Sequence, residues 1–428
     1  MTTSRRQVSC CIIGGGPAGM MAGLLLSRAG ASVLVLEKHA DFLRDFRGDT
    51  VPPSTLELMY ELGILDEFLK QPHQVVRELS GQVGSETVRL ADFTHVPTHC
   101  KFVALVPQWD FLNFIAAHGR CYPGFKLRMQ SEVTDLLEEN GLINGLRART
   151  PGGDLEVRAA LTIGADGRHS IVRQRAGLEV INFGAPMDVL WTRLSRFPTD
   201  PPQTFGHIER GRMLVLLNRE AYWQCAYLVP KGAADEVRQR GLAAFREEIA
   251  KLEPFLSDRV GELNDWEQVS LLTVTVDRLS RWSRPALLCI GDCAHAMSPI
   301  GGVGINLAIQ DAVAAANILG PKLLSGSLSG ADLKAVQQRR MFPTAATQRL
   351  QIVIQNNVIQ RALDSANPKP LKLPWVMKLL NVFPVLRRIP ARMVGVGFRP
   401  EHIHLPPAPA ALRPPPPAPT RNAPHHVS

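Results

Sequence analysis

"RRQVSCCIIGGGPAGMMAGLLLSRAGASVLVLEKHA", residues 5–40, decides how the rest of the chain is read. Two arginines lead into a stretch from Val8 to Leu26 that holds no charged residue. Export signals, membrane spans and nucleotide-binding folds all begin this way. Gly14-Gly15-Gly16-Pro17 interrupts the run, which argues against one continuous apolar helix. The run resumes after Arg28-Ala29-Gly30 as a short β-branched stretch, Ser32 to Leu36, and ends in Glu37. No small-residue cleavage site follows a single apolar core. Strand, glycine turn, helix, strand and acid follow one another as in a βαβ unit.

Val8 to Ile13 reads as a buried strand of a parallel sheet. Gly14, Gly16 and Gly19 fit the G-x-G-x-x-G pattern. Gly14 permits the tight turn, Gly16 leaves room for a pyrophosphate, and Gly19 lets helix and strand pack closely. Pro17 suits a first helical turn, with Ala18 behind it. The N–H groups of that turn then face the phosphates. Glu37, followed by Lys38, stands about 20 residues on, where a carboxylate accepts hydrogen bonds from a ribose.

The chain has 428 residues, enough for two domains, with 45% hydrophobic and 20% charged residues, as in a globular enzyme. The seven cysteines show no CxxC spacing. That argues against a disulfide framework and an iron–sulfur cluster, and for a reducing cytoplasm. The net charge of +9 is dispersed and aromatics make up only 6%, so nucleic acid is not an expected partner. From Leu405 the chain is proline-rich without an apolar period, so 405–428 is expected to be a disordered tail.

Two later stretches narrow the choice of dinucleotide. In "AALTIGADGRHSIVRQRAG", residues 159–177, an apolar strand ends at Asp166-Gly167; alone, this also suits a strand-to-helix turn with an Asp cap. In "PALLCIGDCAHAMSPIGGVGINLAIQDAVAAANIL", residues 285–319, a strand Ala286–Ile290 ends at Gly291-Asp292. A loop carrying Pro299 follows, then a helix from about Ile305 to Leu319. Asp292 stands where a strand end meets a cofactor crevice, placed to hold sugar-alcohol hydroxyls. The helix start at Gly304, Ile305 and Asn306 offers N–H groups and positive potential. A flavin ring that gains negative charge on reduction is stabilised there; a nicotinamide gains nothing comparable.

With these motifs in this order, the chain resembles the class A flavoprotein monooxygenases, the family of para-hydroxybenzoate hydroxylase and the ubiquinone-biosynthesis hydroxylases. The resemblance implies an α/β fold: a Rossmann-like FAD-binding domain with an inserted antiparallel-sheet substrate domain and C-terminal helices. It implies FAD as cofactor and NADPH or NADH as cosubstrate. O2 and a small aromatic or lipophilic molecule are the other reactants, and hydroxylation proceeds through a flavin C4a-hydroperoxide. Arg47, in "RDFRGDTVPPSTLELM", resembles the family arginine that touches the moving flavin, and Gln108 a cofactor contact. Pro299 is placed to present its carbonyl near substrate and flavin. His169 and Arg173 resemble residues that bind the nicotinamide nucleotide. Pro52 departs from the His that precedes Pro-Ser in closer bacterial members.

The expected flavin domain comprises 1–74, 106–179 and 276–345, and the sheet-rich substrate domain 75–105 and 180–275. The alternating strands of the latter offer Trp191, Met213, Val215, Tyr222, Trp223 and Tyr227 as lining, with Tyr222 or Tyr227 as groups to deprotonate a phenol. Residues 346–404 form a C-terminal helical region. Within it, 367–400 is basic and apolar. It reads first as helices broken by Pro374, Pro384 and Pro390, and second as a peripheral contact with an anionic membrane. Two alternatives stay open: a reductase of the same fold, geranylgeranyl-reductase-like, and a non-catalytic flavin-binding protein. A halogenase is disfavoured by the lack of W-x-W-x-I-P, and a metal site has no spacing to support it.

Overall fold

The computed structural model describes residues 4–43, 50–364, 371 and 373–406. The strand Ser4–Ile13 lies inside a sheet, parallel to Val33–Leu36 on one side and to Gly153–Gly164 on the other. Phe125–Arg128 extends the first side and Leu287–Cys289 the second, both parallel. The runs Cys10–Ile13 and Val33–Leu36 are buried at every residue, as a sheet covered on both faces requires. The helix Pro17–Arg28 packs against Gly304–Leu324 and against Gln108–Arg120. Leu142–Thr150 and Glu132–Glu139 add an antiparallel branch to the outer half of Gly153–Gly164.

A second sheet has seven strands, in the order Ser270–Leu272, Met187–Ser195, Tyr222–Pro230, Arg212–Asn218, Phe205–Glu209, Glu78–Val83 and Glu86–Asp92. Its pairs are antiparallel except Phe205–Glu209 with Glu78–Val83. Strands from both expected substrate segments therefore meet in one sheet. Val103–Leu105 does not join it; this strand pairs with Thr50–Val51 and Gln74–Val76 in a three-stranded sheet.

Two expected boundaries move. A break at 345 falls inside the helix Gly330–Ile354, which runs on as a π turn, Gln355–Ile359, and a last turn, Gln360–Leu363. The tail begins later than 405, because Leu405 is buried in the flavin-domain core; residues 407–428 lie outside the described part. Among the described residues, 300–324 is the one stretch long and apolar enough to cross a membrane, and 78% of its most apolar window is buried inside the protein.

Candidate active site

The strand registers bring the distant motifs together. Ile13 pairs with Leu36 on one side and with Gly164 on the other, and Gly164 pairs with Cys289. The turns that follow these strands are therefore neighbours at the C-terminal edge of one parallel sheet, where α/β folds bind their ligands. Gly14 sits at φ +105, and a Cβ there would be driven into the Ala165 backbone. A Cβ on Gly19 would land inside the Gly14 carbonyl. Gly16 differs: a Cβ there would meet no atom within 4 Å. That open space lies at the head of the helix Pro17–Arg28, whose first N–H groups have no intrahelical partner. The cradle fits a pyrophosphate.

Glu37 closes the next strand and is buried. Its Oε2 accepts the Gly15 N–H at 2.8 Å and its Oε1 the His39 N–H at 3.0 Å. The carboxylate thus braces the glycine turn from the end of the second strand. On the other side Asp292 is partly exposed to the crevice and pairs with Arg168 Nη2 at 3.4 Å. Asp166 accepts from Ser170 Oγ at 2.6 Å and from the Val172 N–H at 3.2 Å, bracing the turn whose Ser170 caps the next helix.

Behind Asp292 lies a buried charge centre. Asp311 accepts the Gly291 N–H at 3.0 Å, His295 Nε2 at 2.5 Å and Arg340 Nε at 2.9 Å. Burial alone would raise its carboxyl, but His295 and Arg340 prevail and hold it below the usual carboxylate range. Asp311 therefore fixes the loop that carries Asp292. Ser54 Oγ donates to Asn306 Oδ1 at 2.8 Å and Thr50 Oγ1 to the Gly302 carbonyl at 3.1 Å. These bonds fix the start of the helix Gly304–Leu324.

The seven-stranded sheet has two faces. On one, Leu190, Leu214, Leu216, Trp223, Cys225 and Tyr227 pack under Phe245, Ile249 and Leu252 of the helix Leu242–Leu252. On the other, Trp191, Met213, Val215 and, from the Pro299 loop, Ile300 each pack against a cluster that includes Met187, Val189, Ala226 and Leu228. Tyr222 shares that second face by the strand period, with the Arg193 guanidinium 4.3 Å over its ring. Trp223 and Tyr227 are therefore corrected: neither lines this floor. Trp223 Nε1 donates to Asp200 at 2.9 Å. Tyr227 packs edge-on against Phe245, and burial pushes its phenol well up, so it is no base for a substrate.

Comparison with known proteins agrees with this geometry. Residues 7–349 match the family described as the FAD binding domain. A 6-methylpretetramide 4-monooxygenase from Streptomyces rimosus is 33% identical over 384 residues, covering 89% of this chain and 91% of that protein. The chain belongs to the FAD-dependent class A flavoprotein monooxygenases. The p-nitrophenol 4-monooxygenase of Pseudomonas putida superposes with a TM-score of 0.73 at 20% identity, covering 90% of this chain and 97% of that one. An anhydrotetracycline hydroxylase from Streptomyces rimosus gives a TM-score of 0.71 at 23% identity, covering 91% and 76%.

Within this monooxygenase the remaining expected residues separate. Arg47 lies outside the described residues. Gln108 opens the helix Gln108–Arg120, three residues beyond the strand that pairs with Thr50. Pro299 heads a tight turn in which its carbonyl accepts the Gly302 N–H at 3.0 Å. His169 is exposed beside the Asp166-Gly167 turn. Arg173 has its guanidinium 3.2–3.4 Å from the buried Asp277 carboxylate and also donates to the Arg168 carbonyl, so it ties two elements together. Gly291 and Ala18 pack against each other; a Cβ on Gly291 would sit 3.0 Å from that of Ala18. Sequence reading missed Asp311, although a lone acid in the apolar run 304–319 marks it.

Proposed function

We propose that this monooxygenase hydroxylates a phenolic, polycyclic aromatic molecule held between the seven-stranded sheet and the Pro299–Gly302 turn. NAD(P)H is the reductant. The overall balance is ArH + NAD(P)H + H⁺ + O2 giving ArOH + NAD(P)⁺ + H2O. The observation that carries the reading is that Trp191, Met213 and Val215 of the sheet and Ile300, just before the helix Gly304–Leu324, all pack against one apolar cluster. It is apolar and aromatic, and Ile300 belongs to the loop that joins Asp292 to the helix Gly304–Leu324. The name of the relative from Streptomyces rimosus supports a fused-ring substrate.

FAD, when bound, supplies hydride acceptance and oxygen activation. The chain's own residues do the rest. The turn at Gly16 holds the pyrophosphate, Glu37 a ribose and Asp292 the sugar-alcohol chain. Gly304, Ile305 and Asn306 turn their N–H groups to the ring, with Arg47 and Gln108 as further contacts. His169 receives the nicotinamide nucleotide. The sheet floor excludes water and fixes the acceptor carbon. Tyr222 is the phenol on the floor's face.

The test starts from the visible spectrum of the purified protein, followed by anaerobic NADPH and then air. A flavin spectrum that bleaches and returns supports the reading. With phenolic acceptors and ¹⁸O2, one labelled atom belongs in the product. NADPH oxidation with an unlabelled product indicates a reductase, and no NADPH oxidation at all a binding protein.

The segment 375–389 adds a peripheral membrane contact to this reading. Trp375, Val376, Val382, Phe383, Val385 and Ile389 are all more than half exposed, with Lys378 and Arg388 among them and Arg392 just beyond. Apolar side chains with basic neighbours suit anionic lipid headgroups. Cosedimentation with phosphatidylserine vesicles but not phosphatidylcholine vesicles supports this contact; equal recovery in the supernatant refutes it.

A further inference from the structure

Three glutamines of one helix hold the loop that the proposed active site depends on. Gln348, Gln351 and Gln355 are each about 1–2% exposed, and their spacing of three and four puts them on one face. Gln348 Nε2 donates to the Asp277 carbonyl at 2.7 Å and the Ala296 carbonyl at 3.1 Å, while its Oε1 accepts Arg278 Nη1 at 3.0 Å. Gln351 Oε1 accepts the Ser298 N–H at 3.1 Å, and its Nε2 donates to the Ser298 and Ile300 carbonyls, both at 2.9 Å. Gln355 Nε2 donates to Ser298 Oγ at 2.8 Å. All three polar groups of Ser298 are thus bonded to two side chains of one helix. Buried backbone groups in a loop normally need strand or helix partners; here the partners are amides from 50 or more positions further along the chain.

The same helix reaches the substrate sheet. Just past Gln355 it passes through the π turn Gln355–Ile359. Ile359 and Leu363 pack on Met187, Val189, Ala226 and Leu228 of the sheet, on the face that carries Trp191 and Met213. The Gly211 N–H donates to the Ala362 carbonyl at 2.7 Å. One rigid element therefore grips the Pro299 loop at one end and the sheet at the other. π turns concentrate at functional sites.

We infer that Gln351 and Gln355, with the π turn between loop and sheet, are positioning residues that set the height of the Ser298–Ile300 loop over the flavin and the substrate floor. The inference rests on the flavin reading above. Gln351→Leu removes three bonds to the loop. Gln337 supplies a control from the same helix: its Oε1 accepts the Trp282 N–H at 3.0 Å and its Nε2 donates to the Ser280 carbonyl at 3.0 Å, far along the helix from the loop. Gln337→Leu deletes the same chemistry without touching Ser298.

The experiment titrates FAD into each apo-protein and records affinity, the visible spectrum of bound FAD and its anaerobic reduction by NADPH. Gln351→Leu is expected to shift the long-wavelength flavin band and change the reduction rate by about tenfold or more, since small misplacements at a reacting centre have effects of that order. Gln337→Leu is expected to lower thermal stability with the native band and rate. Should Gln351→Leu not fold, Ser298→Ala, Gln355→Leu and their double variant take its place. Their band shifts are expected to be non-additive, because both partners of one bond are removed. Native spectra and rates in all loop variants overturn the inference, as do equal shifts in Gln337→Leu. A wild-type protein that takes up no FAD overturns the flavin reading instead.

Discussion

Replacing Gly16 by valine separates a glycine kept for a ligand from one kept for packing. Gly16 has φ −75 and ψ −178, a conformation any residue adopts, and a Cβ there meets nothing within 4 Å. The apo-fold therefore tolerates the change. At this helix-capping position glycine is favoured over valine by about 0.5–1 kcal/mol, and the stiffer unfolded chain returns about 0.4–1 kcal/mol. Unfolding free energy of the apo-protein should stay within about 1 kcal/mol of wild type. The isopropyl group, however, stands where the pyrophosphate approaches the helix N-terminus. Losing two charge-assisted hydrogen bonds, at about 1.5–3 kcal/mol each, removes about 3–6 kcal/mol of binding. That is a rise in the FAD Kd of about 10²–10⁴-fold. Gly19→Ala should behave in the opposite way, because its Cβ lands on the Gly14 carbonyl and the helix must move. Overpacking of that kind costs about 1–3 kcal/mol or more in the apo-protein. Denaturant unfolding of both apo-variants and fluorescence titration with FAD measure the two effects. A Gly16→Val protein with FAD affinity within about threefold of wild type would refute the cradle.

Three further outcomes follow from individual contacts. Arg173→Ala should destabilise the protein by breaking the Asp277 pair while leaving the KM for NADPH unchanged, and His169→Ala should raise that KM with little loss of stability; steady-state kinetics and thermal melts distinguish the two. Asp311→Asn should cost about 3 kcal/mol, because Arg340 and His295 lose the buried carboxylate they share and Arg340 keeps only Glu401. Since the folded-state pKa of Asp311 is depressed, its stabilisation is complete above the unfolded-state value near 4 and fades as pH falls through the folded value. Wild-type stability should therefore drop more steeply in acid than that of the Asn variant, as read by urea unfolding between about pH 3 and 6. Tyr227→Phe should leave product formation and its pH profile unchanged, because the ring faces Phe245; a lost basic limb would return Tyr227 to the site.

The βαβ unit was legible because its parts are contiguous: strand, turn, helix and Glu37 occupy residues 8–37, and local spacing carries the meaning. The sheet face was not. Tyr222–Pro230 alternates, but both its faces are apolar, with Trp223, Cys225 and Tyr227 on one and Ala226 and Leu228 on the other. Periodicity separates two faces without saying which meets the cofactor. The ion pair of Arg173 was hidden for a related reason: its partner Asp277 is 104 positions away, and no local pattern announces a long-range ion pair. The glutamines failed differently. Evenly spaced polar residues in a helix read as a solvated face, and only the fold shows that this face is buried against a loop.

The break expected at 345 carries the most mechanistic weight. A boundary there would let flavin domain and C-terminal helices move separately. The helix Gly330–Ile354 instead holds Asp311 through Arg340, the Ser298 loop through Gln351 and, beyond its π turn, the substrate sheet through Ile359 and Leu363. In the proposed reading, cofactor crevice, turn and floor thus share one continuous strut. A reaction that transfers an oxygen atom between a bound ring and a bound acceptor tolerates little relative motion of the two. Any opening needed to admit NAD(P)H and substrate must then come from elements that this strut does not hold.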